Sequence, residues 1–296
     1  MAEERKQTKF SPLTIALFVL LILYVAIMLI LFLWVGLTAS KAYYGDYFDH
    51  PTLGKNIVGL PLKFMLFENI AEINTGFADG DTLISMAGNT ILYSAGCALF
   101  KVVVTCVVAY LCARYDNWFS HVVYSVVIVT MIIPIVGSQA AEIQMAKELN
   151  LYNQVWGMWL MRSNFLGMYF LVFHSVFKSM PNGYYEAARI DGADDWKIMC
   201  EIAFPLIQNT FLSIFLIIFI EYWNDYLIPN LYLPDYKTLS LALYQQSRGQ
   251  ELKVRSLQYV PYVMTTVLLV TIPVIIVFSI FSERLMGNLS VGGLKG

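Results

Sequence analysis

The chain has 296 residues, of which 58% are hydrophobic and only 14% are charged. Soluble domains usually carry about 25% charged residues, so this composition excludes an ordinary water-soluble protein and indicates a chain that lies in lipid. The formal net charge of −2 gives no reason to expect nucleic acid as a partner. The cysteines and histidines share no spacing typical of a disulfide framework or a metal site, so no metal ligand is predicted.

Stretches without charge predict six transmembrane helices, because a helix needs about 20 mostly apolar residues to cross the hydrocarbon. Backbone groups in lipid must hydrogen-bond internally, so the predicted class is an all-α integral membrane protein with one transmembrane domain over 14–296. The fourth span is expected to begin with Arg162 snorkelling toward the membrane surface. The spans are expected near 14–38, 89–112, 118–137, 157–177, 205–229 and 259–282.

The orientation is predicted from the first 13 residues, which are expected to form a cytoplasmic tail. Basic residues are divided evenly between the two sides of the membrane. Arg5, Lys6 and Lys9 nevertheless cluster directly before the first span, which favours a cytoplasmic N-terminus. Both termini are then cytoplasmic, the loop from about 39 to 88 is extracellular, and the loop from about 178 to 204 is cytoplasmic.

The cytoplasmic loop is predicted to form a helix–turn–helix at the membrane surface. Residues 184–190 favour a helix, and Gly192 interrupts it. Asp194 and Asp195 stand where a second helix would begin, because acidic groups there complement the exposed N–H groups and the helix dipole. The apolar positions of that second helix are Trp196, Ile198, Met199 and Ile202. Such an amphipathic element suits a groove on a soluble partner.

The same loop carries a spaced pattern, and further short patterns accompany it elsewhere in the chain. The loop reads Glu186-Ala187-Ala188, three residues, Gly192, nine residues, and Ile202-Ala203-Phe204-Pro205. It resembles the EAA loop of bacterial ABC-importer permeases, with Phe204 where leucine is more usual. The other segments that resemble the family are Asn89-Thr90, Pro134, Leu149 to Asn153, Trp223-Asn224-Asp225-Tyr226, Thr238-Leu239, Gly287 and the tail Gly292 to Gly296. Together they cover roughly residues 60–296 and resemble carbohydrate-importer permeases of the maltose type, on the side of the shorter, six-span partner.

This resemblance implies the type I ABC-importer permease fold, in a multi-pass protein of the bacterial plasma membrane. A lipid-anchored or periplasmic solute-binding protein would deliver a carbohydrate, with an oligosaccharide as the family expectation. Two different permeases would form the path. Two ATPase subunits would bind ATP and Mg and power transport, so this chain would be no enzyme and would carry no cofactor. The phosphate-binding pattern Gly-x-x-x-x-Gly-Lys-Ser/Thr is absent from its sequence.

The resemblance also assigns the contact with the ATPase to particular loop residues. Glu186 would make polar contacts, Ala187 and Ala188 would permit close approach, and Gly192 would set the angle between the helices. The alternative is that this is merely a well-formed surface loop. The full coupling set is Glu186, Ala187, Ala188, Arg189, Asp191, Gly192 and Pro205.

Charged residues inside the predicted spans form a second candidate site. A charge at the bilayer centre costs at least about 2.5–3.5 kcal/mol, so Lys101, Glu221 and Asp225 are expected to face the interior of the bundle. One hypothesis is that they line the translocation path together with Trp223 and Asn224. The other is that Lys101 and Glu221 form a structural ion pair. Trp223 likewise either packs in the core or stacks on a sugar.

Other interpretations of the chain are weaker. A secondary transporter driven by ions could use the same intramembrane charges, but such proteins usually show an internal repeat, and none is visible. A membrane enzyme would need a cluster of His, Asp or Cys, which the sequence lacks. The aromatic and acidic loop after the first span either docks the binding protein or forms a cap on the membrane surface. The solute itself stays open, since monosaccharides, polyols and glycerol phosphates are carried by relatives.

Overall fold

The computed structural model describes residues 11–42, 59–133 and 137–289 of the chain. The only pairing of extended segments within these ranges is the isolated bridge between Phe77 and Leu252, so the all-α class is confirmed. The predictions that concern Arg5, Lys6, Lys9, Pro134 and the glycine-rich tail lie outside the described residues. The helices are α1 (Pro12–Ala39), α2 (Leu66–Gly76), α3 (Leu83–Arg114), α4 (Trp118–Ile132), α5 (Gln139–Glu148), α6 (Val155–Met161), α7 (Met168–Lys178), α8 (Asn182–Ile190), α9 (Asp195–Ile198), α10 (Phe204–Trp223), α11 (Leu227–Tyr232), α12 (Leu239–Ser247) and α13 (Val260–Leu289).

Long apolar helices dominate the described part of the chain. Four helical stretches there are long and apolar enough to cross a membrane: Pro12–Ala39, Leu83–Arg114, Asp195–Trp223 and Val260–Phe281. Two shorter apolar helices, α4 and α7, lie at the third and fourth predicted spans. The count of six spans therefore stays a prediction.

Two predicted spans are not single helices. The fourth, expected over 157–177, is divided into α6, which ends at Met161, and α7, which begins after Gly167. Gly167 has a φ of 129°, a conformation that favours glycine and lies outside the helical region. The fifth, expected over 205–229, ends as a helix at Trp223. There the Asp225 carboxylate accepts hydrogen bonds from the backbone N–H groups of Leu227 and Ile228 and starts α11.

The chain divides into two compact units, and the first comprises Met1–Ala78 and Gln246–Leu269. Side-chain amides and hydroxyls hold this unit together by bonding to backbone carbonyls. Asn69 is buried and donates to the carbonyls of Ala39 at 2.8 Å and Lys41 at 3.0 Å. Thr265 donates to the same Ala39 carbonyl at 3.1 Å, and Gln246 donates to the Leu257 carbonyl at 2.9 Å. The end of α1 is therefore fixed by polar contacts, while most of its apolar surface is exposed.

The second unit comprises Asp79–Gln245 and Val270–Gly296 and contains both candidate sites. Helix α3 lies at its centre and packs against α4, α6, α7 and α10. The core beside α3 consists of buried residues from several helices and the segments between them. They are Tyr93, Cys97, Ala146, Met158, Tyr232 and Leu233.

The helix of the fifth predicted span begins before the apolar residues of that span. Helix α9 continues through a π-helical turn at Met199–Ala203 directly into α10. Asp195–Trp223 is thus one uninterrupted helical stretch of 29 residues. A π-helical turn inside an α-helix is uncommon and is often found at functional positions. This one joins the predicted helix–turn–helix loop to the apolar helix α10 without a break.

Candidate functional site

The loop between α7 and α10 has the predicted helix–turn–helix form. Helix α8 ends at Ile190, and Gly192 turns the chain with a φ of +79°. The backbone N–H of Ala193 donates to the Ala188 carbonyl at 2.9 Å and closes the turn. Asp194 then caps α9 by accepting from the backbone N–H of Lys197 at 2.8 Å. The glycine and the aspartate therefore define the angle between the two helices.

The loop is anchored to the end of α3 by an arginine and a tyrosine. The Arg114 guanidinium lies 3.9 Å from the centre of the Tyr185 ring, which is only 3% exposed. Burial raises the pKa of the Tyr185 phenol above its ordinary value, although the nearby Arg114 charge opposes this. A second stabilising contact lies within the loop, where Arg189 donates to the Asp195 carboxylate at 3.0 Å. That hydrogen bond raises the pKa of the Arg189 guanidinium further, so it stays charged.

The predicted contact residues of this loop do not all face outward. Ala187 and Glu186 are exposed, as a contact with a partner requires. Ala188 is only 6% exposed, because α8 turns that side toward its own chain. The small size of Ala188 thus fits packing within the chain, and its expected role in close approach to a partner stays a prediction.

Sequence reasoning missed the apolar part of the exposed surface. Ile190 is 86% exposed and Trp196 is 69% exposed, and Tyr184 is exposed as well. The periodicity assigned Trp196 to one apolar face with Ile198 and Met199, but those two residues are buried. The sequence signal that distinguishes them is position: Trp196 lies in the first turn of α9, before the helix reaches the membrane. We refer to Tyr184, Ile190 and Trp196 as the exposed apolar triad.

The intramembrane charges lie together but are not paired in the predicted manner. Lys101 and Glu221 form no ion pair within 4.0 Å in the described structure. The Lys101 ammonium instead lies 5.8 Å from the centre of the Tyr222 ring. Glu221 accepts a hydrogen bond from the Tyr169 hydroxyl at 2.7 Å. The structure therefore favours two separate polar contacts over the direct ion pair.

The residues that follow Glu221 hold helices together. Trp223 is 4% exposed, and its indole N–H donates to the Val270 carbonyl at 3.0 Å. The Trp223 carbonyl in turn accepts from the Ser240 hydroxyl at 2.6 Å. Asn224 donates back to the Ile220 carbonyl and ends α10. This geometry supports the packing hypothesis for Trp223.

Asp225 connects three elements rather than lying free. One carboxylate oxygen accepts from the hydroxyl of the nearly buried Tyr93 on α3 at 2.8 Å. The other accepts from two backbone N–H groups at the start of α11. Asp225 is therefore positioned as a structural joint.

Arg162 lies near this group and was not expected there. It follows the short helix α6, and its guanidinium lies 5.5 Å from the centre of the Tyr232 ring. Its Nε atom is buried without a hydrogen-bond partner. Because a separate loop carries Arg162 into the bundle, no spacing in the sequence could have joined it to Lys101.

Two of the short patterns noted in the sequence meet in the structure. Asn89 donates to the Lys237 carbonyl at 3.1 Å. The Thr90 hydroxyl accepts from the backbone N–H of Leu239 at 2.9 Å and donates to the Met86 carbonyl. The Asn-Thr pair thus fastens the first turns of α12 to α3, which explains why it accompanies Thr238-Leu239.

The described residues contain no group of three or more His, Cys, Asp or Glu side chains that is placed to hold a metal ion. The cysteines are free thiols, and Cys97 and Cys106 are buried. The chemistry available here is therefore that of charge, hydrogen bonding and surface contact.

Comparison with known proteins gives one family. Residues 102–290, more than half of the chain, match the family model described as "Binding-protein-dependent transport system inner membrane component". The chain is 25% identical to the diacetylchitobiose uptake system permease protein NgcG of Streptomyces coelicolor, over 93% of this chain and 87% of that protein. It is also 25% identical to the melibiose/raffinose/stachyose import permease protein MelC of Bacillus subtilis, over 78% of this chain and 81% of that protein.

A solved structure shows the same fold. It is the crystal structure of a bacterial ABC transporter involved in the import of the acidic polysaccharide alginate. The TM-score is 0.74 at 20% sequence identity, and the match covers 93% of this chain and 98% of the other. The predicted all-α permease fold is confirmed by this likeness.

Proposed function

Because the chain belongs to the family of binding-protein-dependent transport system inner membrane components, we propose that it is the permease subunit of an ATP-driven importer of a carbohydrate. The chain is a membrane component of such a system and is not an enzyme itself. Relatives named for the uptake of diacetylchitobiose and of melibiose, raffinose and stachyose support an oligosaccharide as the solute. A relative in Escherichia coli named for sn-glycerol-3-phosphate transport is 27% identical over 57% of this chain, so uptake of a labelled oligosaccharide in competition with glycerol phosphate is the measurement that tests the solute class.

The proposed assembly has a sister permease, two ATPase subunits and a solute-binding protein outside the membrane. The ATPase subunits bind ATP and Mg, and this chain needs no cofactor. Both termini and the helix–turn–helix loop lie on the cytoplasmic side of the bacterial plasma membrane in this arrangement. The segment from about 39 to 88 then lies outside, where it is available to the binding protein.

The observation that carries the proposal is the surface of the loop at α8 and α9. The exposed apolar triad is accompanied by the exposed Glu186 and Ala187. Large apolar side chains this exposed on a short polar loop are typical of a protein interface. The loop is also braced against α3 through Arg114 and Tyr185. A partner that moves the loop would therefore move the spans.

The decisive experiment compares two exposed isoleucines in the reconstituted complex. Ile190 is 86% exposed on the loop, and Ile84 is 83% exposed at the opposite end of α3. We expect Ile190→Asp to reduce co-purification of the ATPase subunits and to remove the stimulation of ATP hydrolysis by loaded binding protein. Ile84→Asp places the same charge far from the loop and should leave co-purification intact.

Two results would contradict this assignment. Equal co-purification in both variants would mean that the loop is only a surface feature. Solute accumulation that continues with a hydrolysis-deficient ATPase would favour a secondary transporter that uses the intramembrane charges.

The candidate translocation path is proposed to include Lys101 and Glu221, with Arg162 added from the structure. Each has a charged group that contacts an aromatic side chain: Lys101 lies near the Tyr222 ring, Glu221 accepts from the Tyr169 hydroxyl, and Arg162 lies near the Tyr232 ring. We assign a structural role beside the path to Trp223, Asn224 and Asp225. Their polar groups are already hydrogen-bonded within the chain. Aromatic faces next to charged and hydroxyl groups suit a polyhydroxylated solute, which needs both hydrogen bonds and apolar contact.

A further inference from the structure

A polar cavity of about 620 Å³ lies where α3, α4 and α7 end or begin. Its volume falls in the range of roughly 300–1,000 Å³ that is usual for ligand sites. The loop and the intramembrane charges described above do not use it. The polar residues that line it are Asp116, Ser120, His121, Tyr124, His174, Ser175, Lys178 and Ser179.

An apolar groove adjoins this cavity along α4. It is lined by Trp118, Val122, Val126 and Val129, with hydroxyl groups of Ser125 and Thr130 at its sides. His121 lines both the groove and the polar cavity, so the two spaces meet at that residue. The groove runs along the axis of α4, whereas the cavity lies near the start of that helix.

Positive charge exceeds negative charge around the cavity. Its single carboxylate, Asp116, is engaged by the His121 imidazole at 2.8 Å. Lys178 forms no ion pair with the described carboxylates. A neighbouring pocket, which shares Asp116, adds Arg114 and Arg189, and Arg189 is paired with Asp195. An anionic group therefore finds the cations Lys178 and Arg114 here.

The position of the cavity relative to the membrane identifies the kind of ligand. Arg114 ends α3 and Lys178 ends α7, so the cavity lies where two apolar helices reach water. Trp118 is 77% exposed at the same level, as is typical of aromatic residues at the membrane–water interface. Basic pockets between transmembrane helices at this level suit phospholipid headgroups.

We propose that the cavity binds the headgroup phosphate of an anionic phospholipid, with one acyl chain lying in the groove along α4. The apolar groove favours a lipid over a free phosphate, because a soluble anion would have no use for it. Lys178 is the proposed phosphate donor, since the Ser120 and Ser179 hydroxyls already donate to the carbonyls of Tyr115 and Val176. The lipid would lie beside Arg114, which contacts the loop. The geometry of this site does not depend on the proposed function, but any effect of the lipid on the loop rests on that function.

The test uses the purified complex in nanodiscs with phosphatidylcholine, with or without phosphatidylglycerol that carries a spin label on the acyl chain. We expect a motionally restricted phosphatidylglycerol population in the wild type. Lys178→Gln should weaken its affinity about fivefold, which corresponds to about 1 kcal/mol for one lysine near an anionic surface. Lys147→Gln is the matched control, since Lys147 is an exposed lysine at the end of α5 and away from the cavity.

A second variant tests the groove without changing charge. Val126 is 45% exposed, so Val126→Trp should fill the groove, leave the fold intact and displace the restricted acyl chain. Restricted phosphatidylglycerol at wild-type levels in both variants would overturn the proposal. Equal competition by soluble glycerol phosphate would identify a free-anion site instead, and cross-linking of the groove to the sister permease would make it a subunit contact. Stimulation of ATP hydrolysis is measured separately, so a failure of this proposal is distinguishable from a failure of the proposed function.

Discussion

Substitutions of Gly192 test the proposed role of the turn in the loop. At this position the backbone conformation, rather than contact with neighbouring atoms, disfavours a side chain. Its φ is +79°, yet a β-carbon built there meets no atom within 4 Å. Any effect of substitution must therefore come from the left-handed backbone, which costs an ordinary residue about 1–2 kcal/mol. Such a cost changes the population of the native turn by a factor of about 5–30.

The expected result is a graded series in the reconstituted complex. Gly192→Asn should retain most of the stimulation of ATP hydrolysis by loaded binding protein, since asparagine tolerates this conformation. Gly192→Val should lose it about 5- to 30-fold, because a β-branched residue is strongly disfavoured there. The assay compares stimulated with basal hydrolysis at matched subunit content.

Gly183 provides the matched control within the same loop. A β-carbon at Gly183 also meets nothing within 4 Å, but its φ lies outside the left-handed region. Gly183→Val should therefore leave stimulation near the wild-type value. Equal losses at the two glycines, or no loss in Gly192→Val, would refute the argument that the turn angle couples the loop to the ATPase.

Three further predictions concern the spans. Trp223→Phe removes the donor to the Val270 carbonyl and should destabilise the protein by roughly 1 kcal/mol. The melting temperature in detergent should fall, while transport per folded complex is retained. Loss of transport without a change in melting temperature would favour sugar stacking. Glu221→Gln should change solute transport more than accumulation in the membrane, and failure to accumulate would instead identify Glu221 as a structural residue. In a background without exposed native thiols, a cysteine at Gln250 should react with an impermeant reagent from outside while one at Asp194 should not, and the reverse pattern would overturn the proposed topology.

The helix–turn–helix loop could be predicted from the sequence because its signals are local. A glycine that ends one helix and an aspartate that begins the next act within a few residues of themselves, so Gly192 and Asp194 needed no tertiary information. The long apolar helices were predictable for the same reason, since hydropathy is a property of each segment. Apolar composition does not reveal an interruption, however. Gly167 lies outside the helical conformation directly before α7, and Asp225 caps the start of α11, both inside apolar stretches. A search for charge-free stretches does not detect either feature.

The orientation of side chains in the candidate sites could not be predicted in this way. Ala188 fits a partner interface or its own core equally well by size, and only its burial in the folded loop distinguishes the two. Arg162 directly follows the end of α6 and lies beside Tyr232, which is distant in sequence. Trp223 owes its burial to a carbonyl on the last long helix, 47 residues further along the chain.

The uninterrupted helix over Asp195–Trp223 behaves mechanically as a lever. Its 29 residues give a length of about 43 Å at 1.5 Å per residue, so a tilt of about 5° at the loop would displace the far end by about 4 Å. That end is fastened through Trp223 to Val270 and Ser240. A displacement of this size exceeds the length of those hydrogen bonds. On the proposed function, a partner that tilts the loop would therefore either break these bonds or carry Val270 and Ser240 along with Trp223.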